Sequence, residues 1–163
     1  MNKRIACFFA ITFLTLSCGI NRQQYTIDDY VLVPNAKEII GGKELTAFVF
    51  ENNKKIIPFQ QFLAIHFKLE TLNQKEIPFL INNEQFKLHV YDAAEMEKYI
   101  NLSDFVMKDQ IPDASKMGNQ SDFIVLSVVS DKNEDCLSDG SLYQNKVIQY
   151  LKNLKASYFS NDR

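Results

Sequence analysis

The chain reads as an α+β fold: a single domain with a mainly antiparallel sheet of four to five strands and about three helices packed mainly on one face. Three observations predict it. Residues 45–50 and 123–129 are apolar at nearly every position, as strands covered on both sides are. Between them, two alternating segments meet at Asn82-Asn83, the signature of a β-hairpin. The last stretch carries apolar residues at helical spacing from Tyr143 to Tyr158. The order becomes β-β-α-β-β-α-β-α, with the hairpin in the middle.

The N-terminus stands apart from this domain. Lys3 and Arg4 precede an apolar run over residues 5–16, and the small Ser17 follows before Cys18 and Gly19. A basic head, a short apolar stretch and a small residue at the cut are the parts of a secretory signal. The run Leu14-Thr15-Leu16-Ser17-Cys18 resembles the lipobox of bacterial lipoproteins, with Thr15 where that family favours leucine. The resemblance covers residues 1–18 only. It implies that a diacylglycerol is attached to the Cys18 sulfur and that the peptide before it, Cys7 included, is removed. The other readings are plain secretion and an uncleaved anchor, but residues 5–16 are too few for a hydrocarbon core that takes roughly 20 apolar residues in helix. Members of that family carry several acyl chains, and two or more chains hold a protein on a membrane stably. Gly19, in place of the aspartate that retains many such proteins at the inner membrane, implies the outer membrane in a cell that has one. The expected organisation is a signal peptide over 1–17, a flexible polar tether over 18–25 and one α+β domain over 26–163.

The elements follow in order. Residues 25–33 alternate weakly and stop at Pro34, which suits a short edge strand. Residues 45–50 lie between Gly41-Gly42 and Asn52-Asn53 and should form a central strand. Pro58 fits a first helical position, where its missing N–H costs nothing. Phe59, Phe62, Leu63 and His66 then recur at helical spacing to about Phe67. In the hairpin, pairing Ile81 with Glu84 sets Phe79 opposite Phe86, Ile77 opposite Leu88 and Glu76 opposite His89. Pro78 leaves that strand short of a ladder donor and places it at an edge or bulge. Asp92 and Glu95 have the form of a capping box for a helix to about Ile100. Residues 101–121 form a long polar segment with Pro112 and Gly118, of the kind that is often functional or disordered. Residues 122–130 make the second covered strand. The last helix is expected to start from a Ser141/Gln144 capping box, with Tyr143, Val147, Leu151, Leu154 and Tyr158 inward and Lys146, Lys152 and Lys155 outward.

Composition narrows the function. The full chain carries a net charge of −2 and becomes more acidic once Lys3 and Arg4 are removed, so no basic stripe suits nucleic acid. Membrane attachment therefore rests on the lipid. Cys136 is the only thiol left, which leaves no intramolecular disulfide.

Candidates for chemistry are few. Asp131, Asn133 and Asp135 are spaced like the start of an EF-hand loop, but Cys136 stands where that loop needs glycine and Leu142 where it needs glutamate. The simpler reading is an acidic loop before the last helix. Cys136 sits among Glu134, Asp135 and Asp139, which oppose thiolate formation; an intermolecular disulfide is its other possible role. His66 falls on the apolar helix stripe and is expected in or near the core. His89 is expected to point away from the core as an exposed partner of Glu76. No HExxH, CxxC, P-loop, GxSxG or GxGxxG occurs, and neither a metal nor any other cofactor is expected. If exposed, Phe105, Met107 and Ile111 would form an apolar surface for a partner. The lysine face of the last helix is expected to be solvated, with an acidic partner as the alternative.

The expectation is a lipid-anchored, non-enzymatic envelope protein that binds another envelope protein, as an accessory subunit or an immunity-type inhibitor. A small-ligand-binding lipoprotein or minor enzyme, with a pocket between sheet and helices, is the alternative.

Overall fold

The computed structural model describes residues 25–39, 43–53, 57–102, 105–106 and 122–160. In chain order the elements are β1 (Tyr25–Thr26), β2 (Val31–Val33), β3 (Glu38–Ile39), β4 (Lys43–Glu44), β5 (Ala47–Glu51), α1 (Phe59–Phe67), β6 (Glu76–Ile81), β7 (Glu84–Val90), α2 (Ala93–Tyr99), β8 (Phe105–Val106), β9 (Phe123–Ser130) and α3 (Gln144–Ser160). Five strands form one antiparallel sheet in the order β2-β5-β9-β7-β6. The α+β class follows directly from this arrangement.

The middle strand is β9, with all eight of its residues buried, and β5 is interior beside it, paired with β2 and β9. Both are apolar on alternating faces because each face of the sheet is covered. On one face, Phe48, Phe50, Ile77, Phe79, Phe86, Leu88, Leu126 and Val128 pack against α1 and α3 through Phe59, Phe62, Leu63, Val147, Leu151, Leu154 and Tyr158. On the other, Ala47, Val49, Phe123 and Val125 meet Met96 and Ile100 of the α2 segment, together with Ile27 and Ala36 from the N-terminal part. Two helices on one face and one on the other match the expected bias. Tyr158 is fully buried with its hydroxyl 3.0 Å from Asn52 Oδ1 and 3.1 Å from the Ile57 carbonyl, so its polar end is satisfied inside the core.

Local chemistry explains most element ends. The hairpin pairs Ile81 with Glu84, Phe79 with Phe86, Ile77 with Leu88 and Glu76 with His89. Asn82 and Asn83 have φ of 51° and 66°, as a type I′ turn requires at both central positions. Asp92 and Glu95 complete a capping box, with Glu95 N–H donating to Asp92 Oδ1 at 2.8 Å and Asp92 N–H donating to Glu95 Oε2 at 3.1 Å.

Three expectations need correction here. Pro58 is the residue before α1 rather than its first helical residue, with an extended ψ of 143°. The first expected strand is two pieces: β2 pairs with β5 at the sheet edge, whereas β1 pairs in parallel with β8. The expected box at α3 is not reciprocal. Ser141 Oγ accepts from Tyr143 N–H, but the Gln144 amide turns away and donates to the Leu137 carbonyl at 2.9 Å and to Asp139 Oδ1 at 3.2 Å. A chain that doubles back between 131 and 139 puts those acceptors closer than the cap.

Candidate functional site

A cavity of about 380 Å³ opens where α1, the connection after it and the end of β7 meet. It owes its shape to how α1 stops. Lys68 takes the left-handed conformation (φ 54°) and Leu69 N–H returns to the Ala64 carbonyl at 2.9 Å, which closes the helix and throws residues 69–75 outward. Leu63 and Val90, both buried, supply apolar wall, and Leu69 and Leu72 continue it toward solvent. Leu72 is 58% exposed, a large apolar side chain at the mouth of an apolar cavity. Gln60, Asn73, Gln74, Lys75, Tyr91 and Asp92 bring the polar groups. A second cavity of about 100 Å³ shares Gln60, Val90, Tyr91 and Asp92 as its wall.

Charges along this rim are balanced in pairs. Lys75 Nζ lies 2.6 Å from Asp92 Oδ2 and 3.4 Å from Glu95 Oε2, and Lys37 Nζ lies 2.6 Å from Glu95 Oε1. The hydrogen bond from Lys75 holds the Asp92 carboxyl below the usual carboxylate range, and the same contact raises Lys75. Burial works against ionisation of Glu95, but Lys37 and the Asp92 N–H outweigh it and its carboxyl also stays low. These ion pairs tie the N-terminal segment, the 69–75 connection and α2 together. At the back, the Tyr91 hydroxyl sits 3.0 Å from Ser127 Oγ, which donates to the Thr46 carbonyl at 2.8 Å. Burial pushes the Tyr91 hydroxyl up to about 12. The wall thus offers carboxamides and an ion pair, groups suited to binding and orienting an uncharged molecule.

His89 lies on the face of the sheet that carries Ser127, its partner across β9. It is 5% exposed, not an exposed residue, because loops and α2 cover this face as well. Its Nδ1 is buried without a hydrogen-bond partner, 3.7 Å from Glu76 Oε1. His66 departs from expectation in the opposite sense. It is exposed at the edge of α1, with its ring 5.3 Å from that of Phe62 and 4.8 Å from that of Phe67.

The acidic loop is structural. Asp135 accepts from Thr46 N–H at 2.8 Å and Leu137 N–H at 2.9 Å, and a bridge pairs Val129 with Asp135. Among the described residues no three His, Cys, Asp or Glu side chains converge as a metal site would need. Cys136 is fully buried, with Sγ 3.4 Å from the Glu134 carbonyl, which removes the intermolecular disulfide. The lysines of α3 are also engaged: Lys152 and Lys155 both hold Asp29, at 3.0 Å and 2.7 Å, and Lys146 pairs with Glu84. Their acidic partner belongs to this chain.

Of the expected surface residues, Phe105 is half-buried against the second core, its ring 6.0 Å from that of Phe123. Met107 and Ile111 lie outside the described residues, as does Cys18. A concavity of about 880 Å³ lies beside Phe105 and Phe123. The alternative sequence reading expects a pocket between sheet and helices but does not place it beside residues 69–75. Its only signal was Leu69 and Leu72 standing in an otherwise polar connection. Compared with protein-family models, curated proteins and solved structures, the chain matches none of them.

Proposed function

We propose that the protein is a membrane-anchored envelope lipoprotein whose domain acts by recognition rather than catalysis, as an accessory subunit of an envelope complex or an immunity-type inhibitor. The observation that carries this reading is Cys18 behind a basic head and a short apolar run, followed within a few residues by an ordered α+β domain. The engagement of Asp135, Ser127 and Tyr91 in structural hydrogen bonds, and the burial of Cys136, support it further. Residues that would otherwise attract a catalytic assignment here hold strands together. The anchor is proposed to reach the outer membrane where the cell has one, and the partner to be another envelope protein.

Cys18→Ser should abolish acylation, read as loss of label from an alkyne-tagged fatty acid, and release the domain from the membrane fraction. Unchanged fractionation would overturn the anchor. Crosslinked purification of the anchored protein, with Cys18→Ser as control, should return one near-stoichiometric envelope protein only when the lipid is present.

A second reading, a small-ligand-binding lipoprotein, is favoured by one observation. The cavity beside α1 combines apolar walls with converging polar groups, and its volume falls within the range of roughly 300–1,000 Å³ common for ligand sites.

A further inference from the structure

We propose that the cavity between α1, residues 69–75 and the end of β7 binds a small uncharged amphiphile, its apolar body against Leu63, Leu69, Leu72 and Val90 and its polar head at the carboxamide rim. The inference rests on the ligand-binding reading and names the ligand class. Size is the first constraint. About 380 Å³ lies at the small end for ligand pockets and admits a short-chain amphiphile rather than a diacyl lipid.

Exposure is the second. Leu72 is 58% exposed at the mouth, beside the buried Leu63. A body seated on Leu72 would remove that apolar surface from water, and apolar burial is what drives such binding. Charge is the third constraint and selects the head group. Lys75, the one basic group on the wall among the described residues, is held by Asp92 at 2.6 Å and by Glu95 at 3.4 Å. An anionic head at Lys75 would lie beside the Asp92 carboxylate, and a cationic head at Asp92 beside the Lys75 ammonium, so each meets a like charge as well as an opposite one. Either head loses to that repulsion much of what the opposite charge would supply. A neutral head avoids that loss, because Gln60 and Asn73 each present a donor and an acceptor. Gln74 is partly committed, its amide donating to the Glu76 carbonyl at 2.8 Å, and keeps an oxygen as acceptor.

The test compares octanamide, octanoate and octylammonium, which share one chain and differ in charge, titrated into the Cys18→Ser protein in detergent-free buffer and followed by calorimetry and ligand-observed NMR. Octanamide should bind one to one and at least ten-fold more tightly than either charged analogue. Leu72→Asp should weaken it by ten-fold or more. Leu80→Asp alters a leucine of similar exposure on the hairpin, outside the cavity lining, and should leave binding unchanged. Both sites are exposed, so the fold survives either change. Tighter binding of octanoate or octylammonium would overturn the uncharged class while leaving ligand binding in place. Octanamide binding that ignores Leu72→Asp, or falls equally with Leu80→Asp, would overturn the site. Failure of all three to bind saturably would overturn both this inference and the ligand-binding reading.

Discussion

Burial holds the pKa of His89 below its ordinary 6.5, with Glu76 opposing it and Lys37 and Lys87 adding to it. The unfolded chain therefore binds this proton more readily than the folded one, and stability is lost as pH falls from about 6.5 through the folded value. The wild-type denaturation midpoint should decline between about pH 7.5 and pH 5, a window in which His89→Gln should stay flat. An equal decline in the variant would sink the assignment. Asp29, Asp92 and Glu95, all held low, begin to withdraw their stabilisation as pH falls into the usual carboxylate range, from about pH 5 downward, and continue through their lower folded values. Cys136 gives a second check at this scale. Burial first, and then Asp135 and Glu134, push its thiol up to about 12. A thiol reagent at about pH 8 should label it only in denaturant, and rapid labelling of the native protein would contradict its placement.

Among the elements, the β6–β7 hairpin depends on two asparagines at positive φ. Glycine tolerates that conformation without a Cβ, so Asn83→Gly should raise stability by about 0.5–1 kcal/mol in urea unfolding. Asn83→Val should lower it by about 1–2 kcal/mol, since a β-branched side chain clashes there. A reversed order would mean a different turn. The α3 helix is held in two ways of unequal strength. Its inner stripe of Val147, Leu151, Leu154 and Tyr158 is buried in the main core, and a fully buried large apolar side chain is worth roughly 1.5–3 kcal/mol. The Asp29 carboxylate between Lys152 and Lys155 is half exposed, so solvent screening leaves its pairs a small contribution beside that burial. Burial holds the helix on the sheet, and the lysines fix where the N-terminal segment lies.

For the whole molecule, the edges of the sheet govern how it meets other chains. Val90 N–H bonds to the Lys75 carbonyl, and ladder bonding alternates along an antiparallel pair, so Ile77, Phe79 and Ile81 bond inward. Glu76, Pro78 and Leu80 then turn their backbone groups outward, and Pro78 has no N–H to offer. This interrupts the row of donors a docking strand would need. Pro78→Thr should restore it and produce concentration-dependent self-association by sedimentation velocity, whereas identical monomers for both proteins would count against this role. The other edge strand, β2, carries no proline but is only three residues long. How far the sequence carried this picture depends on distance along the chain. Hairpin register, the Asp92/Glu95 box, the two doubly covered strands and the α3 stripe were legible because turn chemistry, capping and periodicity act between close neighbours. The residues before Cys18, on which the proposed anchor rests, are likewise a local pattern. Burial of His89, the hold of Lys155 on Asp29, the turning of Gln144 toward Leu137 and the cavity under Leu72 were decided by tertiary structure. The Lys155 and Asp29 contact joins residues 126 positions apart, and a linear pattern does not encode which distant segments come to cover a face. Local periodicity determines that a side chain lies on one side of a strand or helix; only packing determines whether that side meets water, another element or an empty pocket.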